Sequence, residues 1–226
     1  MSSLHFQLTI YLVYGPDPNT NARLGTLIAA AKKIGFPKAS IEAAIARGQG
    51  ISASGAALEN LTIEFMLPDA NVAAVIECQT DNKARTMQDV REALKHAGAT
   101  VTPTAYMFDR RGKIVFEKPD GVGEEEIMDK AIEAGAVDVE VEEGEGEDDG
   151  EGEVVVVWTE PNEVSAVGEK MAELLGSRAK TQELVWEPKE DLMVEVKEGD
   201  VANKLERLMG KLEDESSVQG IYLNTT

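Results

Sequence analysis

Residues 140–153 hold nine Asp or Glu and four Gly in fourteen positions, a composition that cannot supply a hydrophobic core. Whatever folds on either side must fold around it. On composition alone the run is expected to be an acidic loop, mobile and without fixed structure. Its Glu-Gly alternation lacks the ligand order of an EF-hand, which argues against a calcium site. The run is the extreme of a wider trend. Residues 1–60 carry five basic and three acidic side chains, residues 61–120 eight and nine, and residues 121–226 nine and thirty, within a net charge of −20. A polyanion is repelled by the last region, so any nucleic-acid contact is expected in the front half.

The 226 residues are enough for two or three small domains with real cores. No apolar run reaches membrane length. A single cysteine, Cys78, excludes an internal disulfide, and with the isolated His5 and His96 it offers no zinc-ligand spacing. Neither a Walker loop nor a Gly-x-Gly-x-x-Gly fingerprint is present, and no Ser/His/Asp order suggests a catalytic set. No cofactor, metal, membrane or small-molecule substrate is therefore expected, and the chain reads as a non-enzyme. Residues 4–14 form an apolar, aromatic run without Lys or Arg, unlike a signal or transit peptide.

The pattern of elements is irregular. Leu24, Leu27, Ile28, Ala31 and Ile34 keep helical spacing up to Gly35, and Pro37 opens a second helix whose stripe is Ile41, Ala44 and Ile45. A Ser/Ala/Gly-rich linker spans 51–58. Two strands, 61–67 and 71–78, are joined at Pro68-Asp-Ala70. The second leads through Thr80, Asp81 and Asn82, all helix-capping types, into a helix ending at Gly98. Strands 106–109 and 113–117 are expected to turn at Asp109-Arg-Arg-Gly112. Beyond Gly123 come a helix, two strands flanking the acidic run, a helix and a strand, and a last helix and strand close the chain. The fold class expected is α+β: a partial helical domain with linker (1–58), an α/β sandwich (59–120 with 198–226), and a second sandwich inserted in it (121–197, acidic loop 140–153). Both sheets are expected to be antiparallel.

Ten basic residues make up the candidate nucleic-acid-binding set. Lys83 and Arg85 sit in a first helical turn, where cations oppose the helix dipole unless an anion is held there. The competing reading is that Asp81 offsets them. Lys32, Lys33, Lys38 and Arg47 lie around the loop and far end of the helical hairpin, and Arg110 and Arg111 at the tip of the expected turn could reach a phosphate backbone. Arg23 and Arg91 complete the set.

Several motifs then fall in one order: Asp17-Pro-Asn-Thr-Asn-Ala-Arg-Leu24, Pro37 through Ile45-Ala-Arg-Gly48, Glu77-Cys-Gln-Thr-Asp-Asn-Lys-Ala-Arg-Thr86 with Val90-Arg91, Ala105-Tyr-Met-Phe108, Glu133-Ala-Gly-Ala136 and Val218-Gln-Gly-Ile-Tyr222. In these the chain resembles the YebC family of translational and transcriptional regulators, over about residues 15 to 224. The resemblance implies a helical N-terminal domain and two α/β domains, the third inserted within the second. It also implies a regulator of translation that binds ribosome or mRNA, mitochondrial in the manner of the activators of cytochrome c oxidase subunit I. The alternatives are a DNA-binding transcriptional regulator, a cytoplasmic location and, from charge alone, an acidic protein-interaction module that touches no nucleic acid. Two departures stand out. Residues 4–14 occupy the place of the family's basic N-terminal segment, and Met66-Leu-Pro-Asp-Ala-Asn71 replaces its Gly-rich turn.

Overall fold

The computed structural model describes residues 22–52, 55–145, 151–197 and 199–225. Among the described residues six α-helices and two four-stranded sheets make an α+β chain in which one sheet domain interrupts another. The compact units are Arg110–Glu187 on one side, and the chain up to Asp109 joined with Pro188 onward on the other.

Helices α1 (Ala22–Lys33) and α2 (Lys38–Gly48) form the hairpin expected from their stripes. Gly35 turns between them at φ 81°, which costs glycine nothing. Leu24 and Ala44 are buried, with Ile28 and Ile45 packed against them. So few side chains make a small core, and the hairpin draws little stability from itself.

In the first sheet β1 (Glu59–Leu67) pairs antiparallel with β2 (Val72–Thr80). The turn between them is a single 3₁₀ turn, Pro68–Ala70, closed by Asn71 at φ 53°. Asn is one of the few side chains at ease there, so the turn works without glycine. Helix α3 (Lys83–Ala97) follows, then the two-residue strand β3 (Thr100–Val101) beside β1. The closing helix α6 (Asp200–Glu213) and strand β8 (Val218–Leu223) belong to this unit as well, β8 lying beside β2. Alternate residues Ile63, Phe65, Ala74, Ile76 and Cys78 face Val90 and Leu94 of α3 and Leu208 and Leu212 of α6. Polar side chains meet the main chain of β2: Asn224 accepts from the Ala73 N–H and donates to the Leu192 carbonyl, while the Thr104 hydroxyl donates to the Ala74 carbonyl. Five consecutive residues of β2, Val72 to Ile76, are buried, and these bonds satisfy main-chain groups there.

The second sheet has the order β5-β6-β4-β7, from β4 (Phe108–Glu117), β5 (Asp138–Glu145), β6 (Glu151–Thr159) and β7 (Ala179–Pro188). Helices α4 (Glu124–Ala134) and α5 (Val164–Leu175) cover it, with Ile127, Ala131, Val167 and Met171 packed on Ile114, Phe116, Val155 and Val157.

Two expectations are corrected here. There is no turn at 109–112: β4 runs unbroken from Phe108 to Glu117 and pairs with β6, so it belongs to the inserted sheet. Gly112 is not a turn glycine. A Cβ on it would overlap Val164 and Thr159, so it is small because α5 comes close. The acidic run is not a loop throughout either. Val139 and Val141 point to the core side while Glu140 and Glu142 point away, and pairing with β6 continues through Glu143↔Glu153 to Glu145↔Glu151. The run of valines in β6 is the reason: it carries its partner outward past the last apolar rung, although like charges directly opposite oppose pairing there. Residues 146–150 lie outside the described residues.

Candidate nucleic-acid interface

The N-terminus of α3 is built by three adjacent polar residues. Asn82 caps the helix, its Oδ1 accepting from the Arg85 N–H at 3.1 Å. The Thr80 hydroxyl oxygen accepts from the Asn82 N–H and, inside the core, from the Thr86 hydroxyl. Gly98 ends the helix at φ 77°. Thr80 is 3% exposed, so the cap is tied to the end of β2 and the basic side chains that follow start from a fixed point.

Around that point the sequence's cations are answered by acids. Arg85 pairs with Asp81 at 2.8 Å, and Lys83 with Glu59 at the start of β1 at 2.7 Å. Both pairs are exposed on at least one side, which limits their contribution to about 0–1 kcal/mol each. Arg47, from the end of α2, is half-buried. Burial holds its guanidinium below the ordinary value, and the Asp81 carboxylate pulls it back up. The Asp81 carboxylate therefore pairs with Arg85, and its charge also reaches Arg47, 38 positions earlier in the sequence. Lys83 is held separately by Glu59.

The remaining candidates scatter. Arg91 is exposed further along α3, and Lys95, one turn beyond it, shares that exposed face. The helical wheel already places Lys95 on the face that meets solvent or a partner, although it is not among the ten candidates; Glu59 is not legible because a strand-start glutamate carries no signal for its partner. Lys32 and Lys33 are exposed in the last turn of α1, and Lys38 is exposed with Glu42 at 3.5 Å. The side chain of Arg23 lies outside the described residues. Arg110 and Arg111 are engaged within the inserted sheet rather than placed at a tip. The Arg110 guanidinium lies 4.9 Å from the centre of the Trp186 ring, and Arg111 pairs with Glu187 at 2.8 Å.

Among the described residues no group of His, Cys, Asp or Glu is arranged to hold a metal ion. No described helix is long and apolar enough to cross a membrane. The class these features define is a multidomain α+β protein, a helical hairpin followed by a sheet domain with a second sheet domain inserted in it.

Comparison with known proteins narrows the class. Residues 58–225 match the family described as TACO1/YebC second and third domain, and residues 6–51 match the TACO1/YebC protein N-terminal domain; the chain belongs to the TACO1/YebC family. Similar proteins include one from Rubrobacter xylanophilus, 35% identical over 93% of this chain and 79% of its own length. Another from Aeromonas salmonicida is 37% identical over 92% of this chain and 79% of its own. Both are named probable transcriptional regulatory protein. The crystal structure of a conserved hypothetical protein from Aquifex aeolicus is similar over 100% of this chain and 88% of its own, with a TM-score of 0.63 and 32% identity.

Proposed function

We propose that this chain is a non-enzymatic regulator of translation that binds single-stranded or ribosomal RNA through the surface around the α3 N-terminus. The observation that carries the reading is the placing of Lys83 and Arg85 in the first turn of α3, each held only by an exposed ion pair, with Arg47 within the field of Asp81, all in the less acidic of the two units. Phosphate is the ligand that suits such a site, since it takes charge-assisted hydrogen bonds from several basic side chains at once. Arg91 and Lys95 extend the surface along α3, and the exposed Lys32, Lys33 and Lys38 extend it along the hairpin. The regulatory names of the relatives favour a regulator over an enzyme. The finer assignment, action on mitochondrial ribosomes, rests on the resemblance alone.

Retention of the full chain on single-stranded RNA and on duplex DNA, at about 50 and about 200 mM salt, tests the reading. RNA should be preferred and its binding should weaken with salt. Lys83→Ala with Arg47→Ala should reduce RNA affinity about tenfold and lower the salt slope by about one for each phosphate no longer neutralised. Glu59→Gln, which releases Lys83, should raise affinity. A chain that binds neither polymer and does not sediment with ribosomes ends the reading; a preference for duplex DNA replaces it with the transcriptional one.

A further inference from the structure

The described residues include eight large apolar side chains that stay exposed, and three of them, Met128, Ile132 and Val137, fall within ten consecutive residues of the inserted unit. Scattered exposed apolar residues need no explanation, but clustered ones do. Met128 and Ile132 are four apart on α4, so they lie on one face, beside the core stripe of Ile127 and Ala131 and outside it. They are 53% and 68% exposed. Val137, 51% exposed, lies two residues past the Gly135 cap, where its N–H donates to the Trp158 carbonyl.

The surroundings say what could cover this strip. Glu124, Glu125, Asp129 and Glu133 are exposed on the same helix, and among the described residues their carboxylates make no ion pair. Lys130, the helix's only cation, is already taken by Glu126 at 2.7 Å. Acids in a first turn are explained by the helix dipole; Glu133, in the last turn, opposes it, and Lys170 of α5 donates to its backbone carbonyl rather than pairing with its carboxylate. The unit as a whole carries eight basic and twenty-three acidic residues. A second copy of this chain is disfavoured because the two acidic faces would repel. A nucleic acid is disfavoured for the same reason.

We propose that the Met128–Ile132–Val137 strip is a docking surface for a basic polypeptide segment that carries apolar anchors, such as an amphipathic helix with Lys or Arg along its flanks. The anchors cover the strip, and the flanking cations meet Glu125, Asp129 and Glu133. This surface is separate from the α3 site and does not depend on the RNA reading.

The test uses the full chain and synthetic peptides. A Leu/Lys peptide patterned as an amphipathic helix is titrated against it, alongside a scrambled peptide of the same composition and a poly-lysine of the same charge. The patterned peptide should bind most tightly. Met128→Ser with Ile132→Ser should weaken it about tenfold, the order expected when the anchors of an interface lose their apolar partner. Ile34→Ser, at an equally exposed isoleucine in the other unit, should leave it unchanged. The conservative pair Met128→Leu with Ile132→Val should retain binding, which separates loss of the surface from loss of the fold. Equal binding of poly-lysine, or an unchanged affinity in the double Ser variant, overturns the proposal in favour of plain charge attraction. A concentration-dependent dimer abolished by the double Ser variant overturns it in favour of self-association.

Discussion

The two sheet units are built alike and dressed differently. Each has four strands under two helices, with alternate strand residues buried against both. Their cores even correspond: Phe65 in one and Phe116 in the other are fully buried strand residues. Yet the inserted unit carries twenty-three acidic residues against eight basic, while the rest of the chain carries nineteen against fourteen. A core of this type tolerates either surface, because burial of apolar area is indifferent to the sign of charge outside. The division of charge therefore bears on partners rather than on folding. It makes the inserted unit the more repulsive of the two towards a polyanion.

The largest expected effects test whether the two cores are independent. Phe65→Ala and Phe116→Ala should each cost about 3–5 kcal/mol in the unit that holds them. Both tryptophans of the chain, Trp158 and Trp186, lie in the inserted unit, so their fluorescence reports on that unit alone. In denaturant titrations Phe116→Ala should shift the fluorescence transition, and Phe65→Ala should shift the circular dichroism transition while leaving the fluorescence one in place. Equal shifts by both probes for both variants would show one cooperative fold and break the comparison.

Two glycines sharpen it at the next level. Gly112→Ala should destabilise the inserted unit by about 1–3 kcal/mol, because the new methyl meets Val164 and Thr159 in a packed layer. Gly210, within α6, has nothing within 4 Å of where a Cβ would stand. Gly210→Ala should stabilise the first unit by about 0.5–1 kcal/mol through helix propensity, read by circular dichroism.

What the sequence conveyed, and what it withheld, follows from the range of the forces involved. The apolar stripe of the helical hairpin and the Asn82 cap are local features; the cap and the stripe residues Leu24, Ile28, Ala31, Ile41, Ala44 and Ile45 are found where they are expected, whereas Ile34 lies beyond the helix end and is exposed. The alternation of 137–141 is equally local and reads as a strand, but the continuation of that strand to Glu145 is hidden by composition, since counting charge discards period. Gly112 failed for a different reason. A glycine is ambiguous between freedom of φ and absence of bulk, and only the approach of Val164, 52 positions later, decides between them. The candidate site shows the same limit. Lys83 and Arg85 announce themselves by their place in a first turn, but that Arg47 feels the charge of Asp81 is decided by the fold and not by any local pattern.

The cap supplies the next smaller effect. Asn82→Ala should cost about 1 kcal/mol of stability in the first unit by leaving the Arg85 N–H without its acceptor, as read in the circular dichroism transition. Asn82→Ser should restore most of it.

The smallest effect concerns the acids of the inserted unit. Burial pushes the Glu183 carboxyl above its ordinary value, partly countered by Lys113, and Glu140 is raised by burial and by its neighbour Glu142. A carboxyl whose folded value is raised binds its proton more tightly in the fold than in the unfolded chain. Its contribution is therefore present below the ordinary Glu value and is lost as pH rises through the raised one. The fluorescence-detected unfolding free energy should fall across that window, and Glu183→Gln should flatten the fall. General repulsion among the acids would give a slope of the same sign, and salt separates the two causes. Repulsion between exposed charges is screened at high ionic strength, whereas the desolvation of a buried carboxylate is not. A slope that disappears in salt but survives Glu183→Gln would assign it to the acidic surface, whereas one that survives salt but not the substitution belongs to Glu183.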